Sequence, residues 1–227
     1  MLLIRLCAAL ALIAMLAAPA AAERPMRVLV MGDSFMTTNA SAKQSFPHAL
    51  SDLLNTNVKS KATTGARHLY ALPITGMLGM NISKQYRPGN WDYVVMNGGG
   101  NDLWMGCGCG KCTRVMNKLI ASNGRKGAIP STILRARRDG AKVIYVGYLR
   151  SPGRGSPIER CKPAGDTLEA RIKKLAALDP GVTFVSLSDM VPHGDASFHA
   201  FDMVHPSPKG SAAAAKLVMS AIKSNPS

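Results

Sequence analysis

Short apolar runs alternate with amphipathic stretches along most of this 227-residue chain. Arg27 to Met31 (R-V-L-V-M) is rich in apolar and β-branched residues and stops at Gly32, which reads as a buried strand delivered to a turn. Trp91 to Asn97 (W-D-Y-V-V-M-N) has the same character and runs straight into Gly98, Gly99 and Gly100. Ala141 to Leu149 and Val182 to Leu187 supply two more strands, and Asn57 to Thr63 is a weaker candidate ending at Thr64 and Gly65. Residues 43–55, 128–139 and 165–178 follow helical spacing, and Ser207 to Lys223 reads as an alanine-rich closing helix. Strands that are apolar throughout and alternate with helices predict a parallel sheet covered on both faces, the α/β class. Ligand sites in such open sheets lie beyond the carboxyl ends of the strands. The loops carrying Ser34, Gly65 and Asn101 are therefore expected to converge on one rim.

The first residues do not fit this pattern. Arg5 precedes an apolar run from Leu6 to Ala18, and Pro19, Ala20, Ala21 and Ala22 lead to the charged Glu23. This reads as a secretory signal peptide, residues 1–22, cut at an Ala-x-Ala site after Ala22. A membrane anchor is the competing reading, but the run falls short of the ~20 residues that span a bilayer. Cys7 lies at the wrong end of the run for lipoprotein processing. The expectation is an exported chain, periplasmic or secreted, with one domain over residues 23–227 and no transmembrane segment after cleavage.

Cleavage would remove Arg5 and no acid, leaving 27 Lys and Arg against 13 Asp and Glu, a net charge of +14. A field of this sign attracts anionic partners. The basic residues are scattered, not gathered in a groove lined with aromatics, so nucleic acid is set aside in favour of an anionic envelope surface of lipid, acidic glycan or cell-wall polymer. A solubilising surface charge is the plainer alternative. The mature chain keeps Cys107, Cys109, Cys112 and Cys161. An even count in an exported protein points to two disulfides, in any of three pairings. A zinc site built from the four thiolates is the other reading, although Cys-x-Cys-x-x-Cys is not the usual paired Cys-x-x-Cys spacing.

Candidate chemistry gathers where strands end. A serine hydroxyl becomes a nucleophile when a base takes its proton, and an imidazole does this best when a carboxylate fixes its tautomer. Gly32-Asp33-Ser34 presents a hydroxyl at a strand end, and Asp202-Met203-Val204-His205-Pro206 sets a carboxylate three residues before an imidazole. Four other histidines, His48, His68, His193 and His199, lack such a partner. The backbone N–H groups of Ser34 and Gly65 and the side-chain amide of Asn101 are candidate donors to an oxyanion. Asp33 and Asp102 are expected to hold loops by accepting backbone hydrogen bonds. The glycines before Asn101 match neither a phosphate loop nor a dinucleotide fingerprint. Gly76-Met77-Leu78-Gly79-Met80 is a candidate cleft lining, with core filler as the plainer reading, and Arg135, Arg137 and Arg138 read as the solvated face of a helix.

Taken together, Gly32-Asp33-Ser34, the glycine of Thr64-Gly65-Ala66, Gly99-Gly100-Asn101-Asp102 and Asp202-Met203-Val204-His205 resemble the sequence blocks of the SGNH, or GDSL, hydrolases. The resemblance spans nearly the whole mature chain. It implies a three-layer, flavodoxin-like α/β/α fold with about five strands, a Ser34-His205-Asp202 triad, and an oxyanion hole of Ser34, Gly65 and Asn101. It also implies an esterase that acts on a small-molecule, lipid or glycan ester and requires no metal or organic cofactor. A non-catalytic module of the same fold, holding an anionic glycan or lipid, is the alternative.

Overall fold

The computed structural model describes residues 24–153 and 155–225, so the expected signal peptide lies outside the described residues. One sheet of five parallel strands carries the fold: β1 (Val28–Met31), β2 (Val58–Ser60), β3 (Tyr93–Met96), β4 (Lys142–Val146) and β5 (Val182–Val185). Their order is β2-β1-β3-β4-β5, the flavodoxin-like arrangement, in which the chain switches direction across the sheet between β1 and β3. The main helices are α1 (Ser34–Thr37), α2 (Phe46–Leu54), α3 (Ile82–Gln85), α4 (Gly100–Cys107), α5 (Thr113–Leu119), α6 (Ala128–Arg138), α7 (Lys162–Ala176) and α8 (Pro208–Ser224).

The apolar runs are continuous because both faces of the sheet are buried. Leu29, Met31, Val94, Met96, Val143 and Tyr145 share one core with Leu119, Ile133 and Leu168 of α5, α6 and α7. Val28, Val30, Val95, Ile144 and Val146 share the other with Phe46 and Leu50 of α2 and with Ala214, Ala215 and Val218 of α8. The small side chains of Ala214 and Ala215 are fully buried, which lets α8 approach closely. Its first turn is capped by Ser207, whose Oγ accepts from Gly210 N at 3.1 Å.

The strands are shorter than their apolar runs, since the last residues of each run leave the sheet at the carboxyl rim and become site walls. Asn97 follows β3 in this way, as do Gly147 to Leu149 after β4. The edge strand β2 is only three residues long, and Lys59 and Ser60 are exposed. Helix α7 starts at Lys162, three residues before the expected boundary. Helices α4 and α5 have no counterpart in the sequence reading, because α4 is interrupted by glycine and cysteine and α5 is only seven residues long. Arg137 is not simply solvated, since its guanidinium pairs with Asp179 at 3.0 Å.

The cysteines form two disulfides, Cys107–Cys112 and Cys109–Cys161. All four sulfurs are consumed, which displaces the zinc reading. The second bridge spans 52 residues and ties the end of α4 to the start of α7, whereas the first spans five. Loop-closure entropy puts their contributions at about 4 and about 2 kcal/mol respectively. Urea unfolding of Cys109→Ser/Cys161→Ser is expected to show roughly twice the destabilisation of Cys107→Ser/Cys112→Ser.

His68 is buried beneath the rim, with Nε2 3.4 Å from Tyr145 Oη and no hydrogen-bond partner for Nδ1. Burial lowers its pKa from 6.5 to about 3. The fold therefore favours the neutral ring, and this contribution is fully present above the unfolded value of ~6.5 and lost as the pH falls toward the folded one. The urea midpoint is expected to drop between pH 7 and pH 4, and His68→Gln to reduce that drop.

Candidate active site

The turn after β1 is held by side chains from distant parts of the chain. Gly32 has φ +145°, and a Cβ there would collide with the Asn97 side chain, so only glycine fits. Gln85 grips both backbone groups of Gly32: Oε1 accepts from Gly32 N at 2.7 Å, and Nε2 donates to Gly32 O at 2.8 Å. Asn97 does the same for Asp33, accepting from its backbone N at 3.1 Å and donating to its Oδ1 at 2.9 Å. Asp33 Oδ1 in turn accepts from Phe35 N at 3.0 Å and caps α1. Burial pushes the Asp33 carboxyl above its ordinary pKa, against the lowering effect of these hydrogen bonds. Ser34 is the first residue of α1, so its backbone N–H has no partner within the helix.

The second half of the site comes from the loop between β5 and α8. His205 Nε2 lies 2.8 Å from Ser34 Oγ, and Nδ1 lies 2.6 Å from Asp202 Oδ2. The other carboxylate oxygen, Oδ1, accepts from the backbone N of Val204 and of His205, each at 3.0 Å. Partial burial would raise the Asp202 pKa, but the bonds from the His205 ring and the two N–H groups outweigh it and hold the value at about 2. The loop is closed by bonds from Ala200 N to His205 O at 2.8 Å and from Ser207 N to Phe198 O at 2.9 Å. Met203 takes a left-handed φ of +56° between the two functional residues, and Ser156 Oγ fixes it by donating to its carbonyl at 2.6 Å. Asn39 Nδ2 joins this loop to the chain beyond α1 by donating to Pro206 O at 3.0 Å.

Ser34 and His205 open onto a cleft of about 830 Å³, which Gly65 and Asn101 also line. Gly65 has φ +77°. Among the described residues, the backbone N–H groups of Ser34 and Gly65 donate to no other protein group. Asn101 Nδ2 gives one hydrogen to Ala66 O at 3.1 Å, which orients the amide and leaves its second hydrogen unused. Such a set can transfer a proton from a serine hydroxyl to an imidazole beside three donors suited to a developing oxyanion. The remaining wall includes Trp104, Met105, Tyr148, Leu149 and Ile158, together with the Cys109–Cys161 bridge. Arg150 also reaches the cleft, but pairs with Asp166 at 2.7 Å and Glu169 at 2.6 Å.

The structure thus brings together all five residues singled out for catalysis and oxyanion binding. Asp102 accepts from the backbone N of His68 and Leu69 at 3.0 and 2.8 Å, a loop-holding contact of the kind expected. The segment 76–80 does not line the cleft, and Met77 and Leu78 face outward, contrary to both readings of it. Gln85 and Asn97 were missed. Asn97 had a signal, a polar side chain at the end of an apolar run, whereas Gln85 lies in a polar stretch and had none, and their partners are 64 and 53 residues away.

Comparison with the curated proteins found no match. Among solved structures, a presumed SGNH hydrolase from Slackia heliotrinireducens is similar at 25% identity over 87% of this chain and 98% of its own, with a TM-score of 0.58. A GDSL-like lipase from Bacteroides thetaiotaomicron VPI-5482 is similar at 21% identity over 95% of both chains, with a TM-score of 0.59. A family 2 carbohydrate esterase with a carbohydrate-binding domain, from Corynascus thermopiles (Myceliophthora fergusii), is similar at 16% identity over 91% of this chain and 68% of its own, with a TM-score of 0.60. The last two likenesses speak to the fold alone. Residues 30–213 match the GDSL-like Lipase/Acylhydrolase family. That match takes in both the Ser34 turn and the His205 loop, and the chain belongs to the GDSL-like lipase/acylhydrolase family, the SGNH hydrolases.

Proposed function

We propose that the protein is an exported serine esterase that works through an acyl-enzyme on Ser34. The observation that carries this reading is the unbroken hydrogen-bond chain from Asp202 through His205 to Ser34 at the mouth of the cleft. Ser34 Oγ attacks the ester carbonyl carbon while His205 Nε2 takes the hydroxyl proton. The oxyanion that forms accepts from Ser34 N, Gly65 N and Asn101 Nδ2. Collapse breaks the ester C–O bond, and the proton passes from His205 to the departing alcohol. Water then repeats the sequence: His205 removes its proton, the hydroxide oxygen attacks the acyl carbon, and the proton returns to Ser34 Oγ as the acid leaves. Asp202, with its pKa held at about 2, stays ionised and stabilises the imidazolium at each stage.

The similar structures include a lipase and a carbohydrate esterase. The aromatic and aliphatic walls of this cleft favour the first kind of substrate, an ester with an acyl chain longer than acetyl. Two disulfides suit an oxidising compartment, which supports export to the periplasm or medium. No helix among the described residues is long and apolar enough to cross a membrane.

Hydrolysis of p-nitrophenyl esters by the purified protein should rise from acetyl to medium acyl chains, and Ser34→Ala should abolish turnover and labelling by a fluorophosphonate. Retained turnover in that variant would remove Ser34 from the mechanism, whereas neither turnover nor labelling in the unmodified protein would restore the binding-module reading. Asn101→Ala is expected to lower kcat by about 10² to 10³ with KM little changed, since its amide acts on charge that develops only in the transition state.

A further inference from the structure

The segment between the Gly65 loop and α3 turns its apolar side chains away from the protein. Leu72, Ile74, Met77 and Leu78 are 63%, 76%, 67% and 76% exposed within seven residues. This is a concentrated patch, unlike the scattered single residues ordinary on a soluble surface. Their exposure is built into a well-braced turn. A short helical turn at Pro73–Thr75 runs into a π-helical turn at Gly76–Met80. Tyr70 Oη and Thr75 Oγ1 are hydrogen-bonded at 2.9 Å, and Asn81 Nδ2 donates to Tyr70 O at 3.0 Å. Arg67 N donates to Met80 O at 2.9 Å, and Ile82 N to Arg67 O at 3.0 Å. The turn is also fastened to the site. Gln85 Nε2, which holds Gly32 O, donates to Gly79 O at 2.8 Å as well.

Along the sequence, the charged residues on either side of this turn have one sign, with Asp139 of α6 the acid that reaches Tyr86 between them (2.6 Å). No acidic residue occurs between Asp52 and Asp92, while Lys59, Lys61, Arg67, Lys84 and Arg87 all fall in that interval. Lys61, Lys84 and Arg87 are exposed, and among the described residues none of them forms an ion pair. The cleft is different. Among the described residues, its cationic side chains Arg150 and Lys162 face Glu159, Asp166 and Asp189 on the same walls. The positive field of the chain is therefore carried outside the cleft, where it includes the flanks of the apolar turn.

We propose that the turn Leu72–Leu78 and the basic residues beside it form a docking face for an anionic lipid surface. The apolar side chains enter the boundary between headgroups and acyl chains, and Lys61, Lys84 and Arg87 meet the lipid phosphates, the combination by which interfacial segments hold to membranes. Docking sets the Ser34 turn near the interface, so that an amphiphilic ester reaches the cleft from the lipid phase. This consequence for turnover rests on the hydrolase reading above, whereas the binding itself does not.

Co-sedimentation of the purified protein with vesicles of phosphatidylcholine alone, and of phosphatidylcholine mixed equally with phosphatidylglycerol, tests the proposal. Partitioning is expected to be at least about tenfold stronger on the anionic vesicles, as attraction of several basic residues predicts. Leu72→Ser/Ile74→Ser/Met77→Ser/Leu78→Ser should lose about tenfold or more in partitioning on the anionic vesicles. Lys61→Gln/Lys84→Gln/Arg87→Gln should abolish the preference for them. Both variants should hydrolyse a soluble p-nitrophenyl ester at the unmodified rate, which shows that they fold. Ser34→Ala should bind vesicles as the unmodified protein does, separating a failure of docking from a failure of catalysis. Equal partitioning on both vesicle types, or vesicle binding unaffected by the serine substitutions, would overturn the proposal. So would a dimer in sedimentation that those substitutions dissociate, since a second copy would then be what covers the patch.

Discussion

The polar backbone at the carboxyl end of β1 has to be satisfied where apolar layers press on it from both sides. A buried N–H or C=O without a partner costs about 1 to 3 kcal/mol. Gly32 and Asp33 present several such groups within two residues, and the backbone beyond β2 reaches one of them, Thr63 N donating to Gly32 O at 3.1 Å. Gln85 and Asn97 supply the missing partners. The parallel register of β1 and β3 aligns Met31 with Met96, which brings the next residues, Gly32 and Asn97, side by side. The orientation of Ser34 follows from this: with Gly32 gripped on both sides and Asp33 capping α1, the hydroxyl has one direction left to face.

His205 depends on a different device. Its loop lies just before α8 and is closed by its own backbone bonds, by the left-handed Met203 and by Ser156 and Asn39 from outside. Asp202 serves twice, with one carboxylate oxygen on the loop backbone and the other on the His205 ring. Rigidity and electrostatics thus reside in the same side chain. A variant that preserves only the charge, such as glutamate, would move the carboxylate and disturb both.

The sheet, its parallel character and the residues of the candidate site were legible because they rest on local patterns. Doubly buried strands write themselves as unbroken apolar runs, and the glycines after β1 and β3 mark where those strands hand over to the site. What escaped was set by tertiary context. Helix α4 begins on Gly100 after two glycines of positive φ, and α5 starts directly after the cysteine cluster, at Thr113. Neither has a propensity that announces a helix. Gln85 and Asn97 look like ordinary polar residues until the fold shows what they hold. The pairing of the cysteines was one choice among three, fixed only by the approach of α7 to the end of α4. The outward-facing Met77 and Leu78 were misread because apolar residues imply burial unless the fold shows that nothing covers them.

The contact between Ser34 and His205 spans 171 residues, nearly the whole described chain. Domains grow from the amino end during synthesis, and early elements can settle before later ones exist. The Ser34 turn is held by groups from β1, the end of β3 and α3, whereas its imidazole partner comes with the last loop, beside α8, which packs against α2 and the sheet. A chain cut before the last loop lacks both the imidazole and the helix that completes this core. The pairing of Ser34 with His205 therefore requires almost the full length of the described chain.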